Sequence, residues 1–248
     1  MQYAGCIVLG ILGVIYIYDW LLSILNQDYE LIQLMKKSPR GNVSLIRHKA
    51  TKQKFIMRRF AGNAEVYKKL LDYSCPNLPK TLEVVEHEGD HIVIEEFIEG
   101  DTLDFLLKGA LFSPEETRDI VAQLCRALWV LHSMGAVHRD IKPENIIMRG
   151  ADAILIDFDA ARLHKPEHEN DTQVLGTTGF AAPEQYGLSQ SDTRTDIYSI
   201  GVLINVMLTG QHPSKKLAGG KLGRVVERCT RVAPKKRYQN VLRLMEVI

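Results

Sequence analysis

His138-Arg139-Asp140-Ile141-Lys142-Pro143-Glu144-Asn145 is the stretch on which the reading of this chain turns. Eight consecutive residues bring a carboxylate, an ammonium and a carboxamide onto one short loop. Each residue alone is bland; their order and spacing are not. Twelve residues past Asn145 comes Asp157, at the end of the apolar run Ile154-Leu155-Ile156 and followed by Phe158-Asp159. Next is Gly176-Thr177-Thr178-Gly179-Phe180-Ala181-Ala182-Pro183-Glu184. Further on, Asp196 opens a segment, Ile197 to Leu208, that is apolar almost all the way round, as a buried central helix should be. Arg237 completes the series.

In this order and with these separations, the features resemble the catalytic loop, the metal-binding strand end and the APE segment of eukaryotic-type protein kinases. With an N-terminal apolar segment on so small a domain, the chain resembles bacterial serine/threonine kinases in particular. The resemblance covers roughly Tyr29 to the C-terminus. It implies an α+β, bilobal fold with a small β-rich N-lobe (28–98) and a larger helical C-lobe (99–248), after an N-terminal apolar segment (1–27). It further implies a serine/threonine kinase that uses ATP and Mg²⁺ and acts on a protein substrate. Phosphoryl transfer is mainly positioning and charge neutralisation. By the resemblance, Asp140 accepts the proton of the substrate hydroxyl and Lys142 reaches the transferring phosphate. Asn145 and Asp157 are the oxygen ligands that Mg²⁺ prefers. Thr177 is expected beside the substrate pocket, and Glu184 and Arg237 as a buried structural ion pair. Arg139 beside Asp140 implies control by an activation-loop phosphate, with Thr172 the expected site.

The small lobe departs from the family pattern. Where a glycine-rich loop belongs, the aligned residues are Lys36, Ser38, Gly41 and Val43, so one glycine remains to approach a nucleotide. The strand that carries the ATP-binding lysine reads Phe55-Ile56-Met57-Arg58. Arginine keeps the charge but not the geometry of a compact ammonium. Glu65, on the following short helix, is the expected partner of Arg58, and Arg59 is expected to face outward. Glu95 stands before a hinge, Glu96-Phe97-Ile98, whose backbone groups are expected to meet adenine. Asp159 replaces the glycine of the DFG motif. These departures keep a second reading open, a pseudokinase acting as a nucleotide- or protein-binding regulatory module.

The bulk numbers suit a globular protein: 248 residues, 46% hydrophobic and 25% charged. Thirty-one basic against thirty acidic residues leave a net charge of +1, which gives no electrostatic footprint for nucleic acid. Cys6, Cys75, Cys125 and Cys229 form no CxxC pair, which argues against a zinc site or a disulfide framework and suits a reducing, cytoplasmic compartment. From Tyr3 to Tyr18 the chain is uncharged and mostly apolar, then come Asp19 and Trp20 to Leu25. Sixteen helical residues span about 24 Å, short of a hydrocarbon core of roughly 30 Å. Extension to Leu25 gives the length but encloses Asp19. A membrane anchor is the expectation; a helix packed on the domain, or an upstream start read through non-structural sequence, is the alternative.

Along the rest of the chain, Val43 to His48 and Lys54 to Phe60 read as one hairpin. Leu82 to Glu86 and His91 to Glu95 read as another, turned at Glu88-Gly89-Asp90. Asn63 to Leu71 reads as a short helix between them. Ser113-Pro114-Glu115-Glu116 is a helix start with a capping box, and Ile120, Leu124, Leu128 and Leu131 continue at helical spacing to a stop near Gly135. A strand-rich lobe followed by a helical one implies a ligand cleft between them.

Overall fold

The computed structural model describes residues 23, 27–38, 41–163, 177, 179–186 and 190–248. The apolar N-terminal segment, apart from Ser23 and Gln27, and Thr172 lie outside these residues. No helix among the described residues is long and apolar enough to cross a membrane. The fold is α+β, and the chain divides into two compact units. One is the chain up to Tyr73 together with Lys80–Phe97; the other is Ser74–Pro79 with Ile98–Ile248.

The first unit is a five-stranded antiparallel sheet in the order β1-β2-β3-β5-β4. Its strands are β1 (Tyr29–Ser38), β2 (Gly41–His48), β3 (Lys54–Ala61), β4 (Thr81–His87) and β5 (Asp90–Glu96). Both expected hairpins form. In the second, Glu88 and Gly89 have φ of 50° and 85°, the left-handed pair that a two-residue hairpin turn requires. Strand β1 carries no alternation, and Leu31, Ile32, Leu34 and Met35 are exposed. An edge strand without a buried face leaves no periodic signal, so only its hydrogen bonds to β2 define it. Ile46, Phe55, Val85, Ile92 and Ile94 form the apolar cluster of the sheet. Helix α1 (Glu65–Leu70) buries Val66, Tyr67 and Leu70.

The second unit is built on two long helices, which in chain order are α3 (Pro114–Ser133) and α4 (Thr193–Thr209). The Ser113 hydroxyl accepts from the Glu116 amide while the Glu116 carboxylate accepts from the Ser113 amide, the expected capping box. Ile120, Leu124, Leu128 and Leu131 are all buried. Asp192 caps α4 in the same reciprocal way, and Gly210, at φ 69°, ends it. Ile197, Ile200, Leu203, Ile204 and Met207 are sealed from solvent, each stabilising the fold by about 1.5–3 kcal/mol. Further helices go beyond the sequence expectation: α2 (Leu103–Gly109), capped by Thr102, and α5 (Gly220–Cys229), which packs Leu222, Val225 and Val226 inward. A terminal helix α6 (Val241–Met245) follows. Short strands β6 (Asp101–Thr102), β8 (Ile146–Arg149) and β9 (Asp152–Leu155) form a small sheet, and β7 (Ala136–Val137) pairs with β10 (Arg162–Leu163). These pairings hold the loop between β7 and β8 from both ends.

Candidate active site

The loop 138–145 is fixed from beneath by a buried carboxylate. Asp196, in the first turn of α4, accepts hydrogen bonds from the backbone N–H of His138 (2.9 Å) and of Arg139 (2.8 Å), and His132 Nε2 lies 2.8 Å from its Oδ2. Burial alone would push the Asp196 carboxyl up. The hydrogen bond and charge of His132 and the Arg139 amide outweigh it and hold the pKa below the usual carboxylate value. From the other side, Gln185 Nε2 donates to the Arg139 carbonyl (2.8 Å). So clamped, Arg139 takes φ of 69°, a left-handed conformation uncommon for a non-glycine residue.

His138 is fully buried, edge-on to Phe158 with ring centroids 5.5 Å apart. Its Nδ1 accepts from the Asp140 amide (3.3 Å), so Nε2 bears the proton and faces the Ile156 carbonyl (3.3 Å). Burial pushes its pKa below the usual imidazole value despite the nearby carboxylates of Asp196, Asp140 and Asp157. The unfolded chain therefore takes up this proton more readily than the folded one. The corresponding stability is complete above the unfolded pKa of about 6.5 and is lost as pH falls towards the folded value. Urea unfolding at about pH 7 and about pH 5.5 is expected to show lower stability at the acid value, with a smaller drop in a His138→Phe variant. An equal drop in both would remove His138 from the account.

Three side chains converge on the Asp140 carboxylate. Thr177 Oγ1 donates to Oδ1 (2.8 Å), and Asn145 Nδ2 donates to Oδ2 (3.0 Å) and to the Asp140 carbonyl (2.8 Å). Lys142 Nζ lies 2.7 Å from Oδ2 and donates to Thr177 Oγ1 at 2.6 Å. A single 3₁₀ turn, Pro143–Asn145, folds Asn145 back towards Asp140. The Ile156 amide donates to the Asn145 carbonyl (2.9 Å), which ties the chain just before Asp157 to the same loop. Asp157 itself has φ of 68°. Because Asn145 spends its amide nitrogen on Asp140, the atom it has to offer a cation is Oδ1, a hard oxygen. With the Asp157 carboxylate this makes an oxygen donor pair of the kind Mg²⁺ takes, so these residues fit the ion.

Beyond the loop, Glu184 and Arg237 form the expected buried pair, doubly bonded at 2.6 and 2.8 Å. In the sheet unit, Arg58 is buried on β3 and Arg59 is exposed, paired with Asp90 at 3.2 Å. Arg58 Nε bonds Glu95 Oε2 at 2.5 Å. The expected partner, Glu65, is exposed and hydrogen-bonded to Asn63 instead. Gly41 has φ of 154° and begins β2 against Arg59 and Phe60; a Cβ there would collide with the Arg59 carbonyl and the Phe60 side chain. The sheet itself therefore requires this glycine. Val43 is half-buried opposite Arg58. The Glu96 carboxylate accepts from the Lys80 amide (3.2 Å), and Ile98 is buried.

The family model of the protein kinase domain matches residues 38–242. The chain belongs to the protein kinase family. This kinase domain is 36% identical over 167 residues to the serine/threonine-protein kinase pkn2 of Myxococcus xanthus, covering 62% of this chain and 20% of that protein. It is 32% identical over 169 residues to the serine/threonine-protein kinase PknA of a Nostoc species, covering 64% of this chain and 30% of that protein. To the serine/threonine-protein kinase D of a Synechocystis species it is 33% identical over 171 residues, covering 66% and 33%. The chain thus spans a fifth to a third of the length of these curated relatives.

Two braces of the kinase domain's catalytic loop escaped the sequence reading. His132 acts on the loop through Asp196 and Gln185 bonds the Arg139 carbonyl, and nothing in their local sequence marks them. Glu95 was legible as a departure from the family pattern. Its charge, opposite to that of the equally unusual Arg58, was the signal that could have paired them.

Proposed function

We propose that this domain is an active serine/threonine protein kinase that transfers the γ-phosphoryl group of ATP to a serine or threonine hydroxyl of a protein. The observation that carries the proposal is the closed cluster of Asp140, Lys142, Asn145 and Thr177, each within 3.0 Å of its neighbour. In this reading Asp140 takes the proton as the substrate O–H bond breaks. The oxygen forms its bond to the γ-phosphorus while the bond to the β-phosphate oxygen breaks, leaving ADP. Lys142, already beside Asp140, offsets charge on the transferring group, and Thr177 helps to position the acceptor hydroxyl. Asn145 and Asp157 would hold Mg²⁺, which supplies charge neutralisation on the phosphates when bound. Arg58 serves the phosphates, Gly41 and Val43 border the nucleotide, and the backbone of Glu96 and Ile98 serves adenine.

The competing pseudokinase reading draws on the commitment of Arg58 to Glu95, together with the exposed Asp159 that follows Phe158. Transfer of labelled phosphate to a generic protein substrate, measured for the wild type, Asp140→Asn and Arg58→Lys, separates the two. Turnover that disappears in Asp140→Asn supports the kinase; no turnover in any of the three supports the pseudokinase.

The domain works on the cytoplasmic side in the same reading, with residues 3–25 as its membrane anchor. Full-length chain is expected in a carbonate-washed membrane pellet, and chain lacking residues 1–27 in the supernatant. Equal partition of the two forms would sink the anchor.

A further inference from the structure

Arg58 and Glu95 form an ion pair inside a single sheet. Their side chains are 7% and 3% exposed, and Nε stands 2.5 Å from Oε2. The register explains how they meet. Glu95 lies opposite Ile56 and Val93 lies opposite Arg58. Arg58 and Glu95 are therefore diagonal neighbours on one face, a separation that two long side chains span. A carboxylate so buried demands a cation, because desolvation without a partner costs several kcal/mol.

Helix α1 offers Arg58 a different contact. The Tyr67 ring centroid lies 6.0 Å from the guanidinium carbon, at the edge of cation–π range. Glu65, in the first turn of the same helix, is exposed and bonded to Asn63. The helix thus presents an aromatic face to the arginine, and its carboxylate is engaged elsewhere. In protein kinases generally, the β3 cation must be paired with a glutamate of the following helix, and the position of that helix is where activity is switched.

We infer that Glu95 is the positioning residue for Arg58, and that this pair within the sheet replaces the pairing with the helix, so that nucleotide binding does not depend on the placement of α1. The inference rests on the nucleotide-binding reading of this domain. Its physical basis is that β3 and β5 are hydrogen-bonded neighbours, held about 4.8 Å apart by the ladder itself. A pair across that ladder is formed whenever the sheet is formed. Helix α1 has no backbone ladder to the sheet and is held to it by side chains, such as Lys68 on Glu86 and Tyr67 on Phe60. Arginine suits the arrangement better than lysine. A guanidinium has five N–H donors and can bond one anion through Nε and another through its terminal nitrogens, which a single compact ammonium does less well. The two departures from the family pattern, Arg58 and Glu95, thus account for each other.

The test compares Glu95→Gln and Glu65→Ala with the wild type in the full chain. The readouts are equilibrium titration of a fluorescent ADP analogue with Mg²⁺, the KM for ATP, kcat, and thermal melting. Glu95→Gln keeps the size and an acceptor oxygen, and it is expected to weaken nucleotide affinity and raise the KM for ATP about tenfold with a smaller change in kcat. Glu65→Ala is expected to change both by less than about twofold. Glu95→Asp, which keeps the charge, should recover part of the affinity. A loss in Glu65→Ala equal to that in Glu95→Gln overturns the inference. So does a Glu95→Gln chain that melts earlier yet binds nucleotide as the wild type does, or a wild type that binds no nucleotide. A wild type that binds the analogue but transfers no phosphate defeats the kinase reading alone, because the titration still decides between Glu95 and Glu65.

Discussion

Asp140→Asn is expected to lower the rate of phosphotransfer by about 10²–10⁴-fold while leaving the fold and the affinity for nucleotide in place. The carboxylate receives the Thr177 hydroxyl on one oxygen, and on the other it meets the Asn145 amide and the Lys142 ammonium. An asparagine keeps the shape but loses the negative charge that balances Lys142. It also turns an NH₂ group towards donors that need an acceptor. What disappears is the ability to accept a proton, since a carboxamide is no base at neutral pH. Binding should survive, because Asn145, Asp157 and the sheet residues are unchanged. The measurement is single-turnover transfer with saturating ATP, alongside nucleotide titration and a melting curve. A variant that keeps more than about a tenth of the wild-type rate would show that Asp140 is not the base.

The largest effect on stability is expected at Arg237. Its guanidinium is wholly enclosed, and all its donors are engaged. Nε donates to the Arg231 carbonyl (2.7 Å), Nη1 to Glu184 and the Arg194 carbonyl, and Nη2 to Glu184 and the Val232 carbonyl. The ring of Tyr198 lies 5.0 Å from the guanidinium carbon. Removing one partner of such a pair leaves an uncompensated buried charge, at a cost of about 3–5 kcal/mol. Arg237→Ala should therefore lower the melting temperature by roughly 10 °C or fail to accumulate as soluble protein. Arg237→Lys, with three donors and no fork, should recover only part of the loss. Replacing Glu184 and Arg237 together by Met should cost less than either single change, because no lone charge remains inside. Single variants that melt with the wild type would mean that the pair is not structural.

Much of the C-terminal unit was legible because its signals are local. A capping box, a stripe of Ile120, Leu124, Leu128 and Leu131, and a glycine at each stop identify α3 and α4 without knowledge of anything they pack against. The loop 138–145 was legible for the same reason: its acid, base and amide are chain neighbours, and a single 3₁₀ turn is enough to bring Asn145 back to Asp140. Less local features escaped. Strand β1 has no buried face, so no alternation reveals it. Helix α5 is short and has no side-chain cap. His132 reaches Asp196 across 64 positions, and Gln185 reaches Arg139 across 46.

By itself, the sequence determined that this chain is built as a protein kinase, that an acid, a base and an amide share the loop around Asp140, and that the cation on β3 is an arginine. Spacing along the chain carries that information, because the groups concerned lie on one loop or on one strand. Only the tertiary structure decided which carboxylate holds Arg58. Glu65 is the nearer in sequence, yet it starts a helix whose inward face is Val66, Tyr67 and Leu70. Glu95 is 37 positions away, but the antiparallel register of β3 and β5 puts it on the face where Arg58 lies. Sheet pairing is non-local, and a shift of one residue would turn either side chain to the opposite face. The partner of a buried charge is therefore fixed by register, which the folded sheet sets.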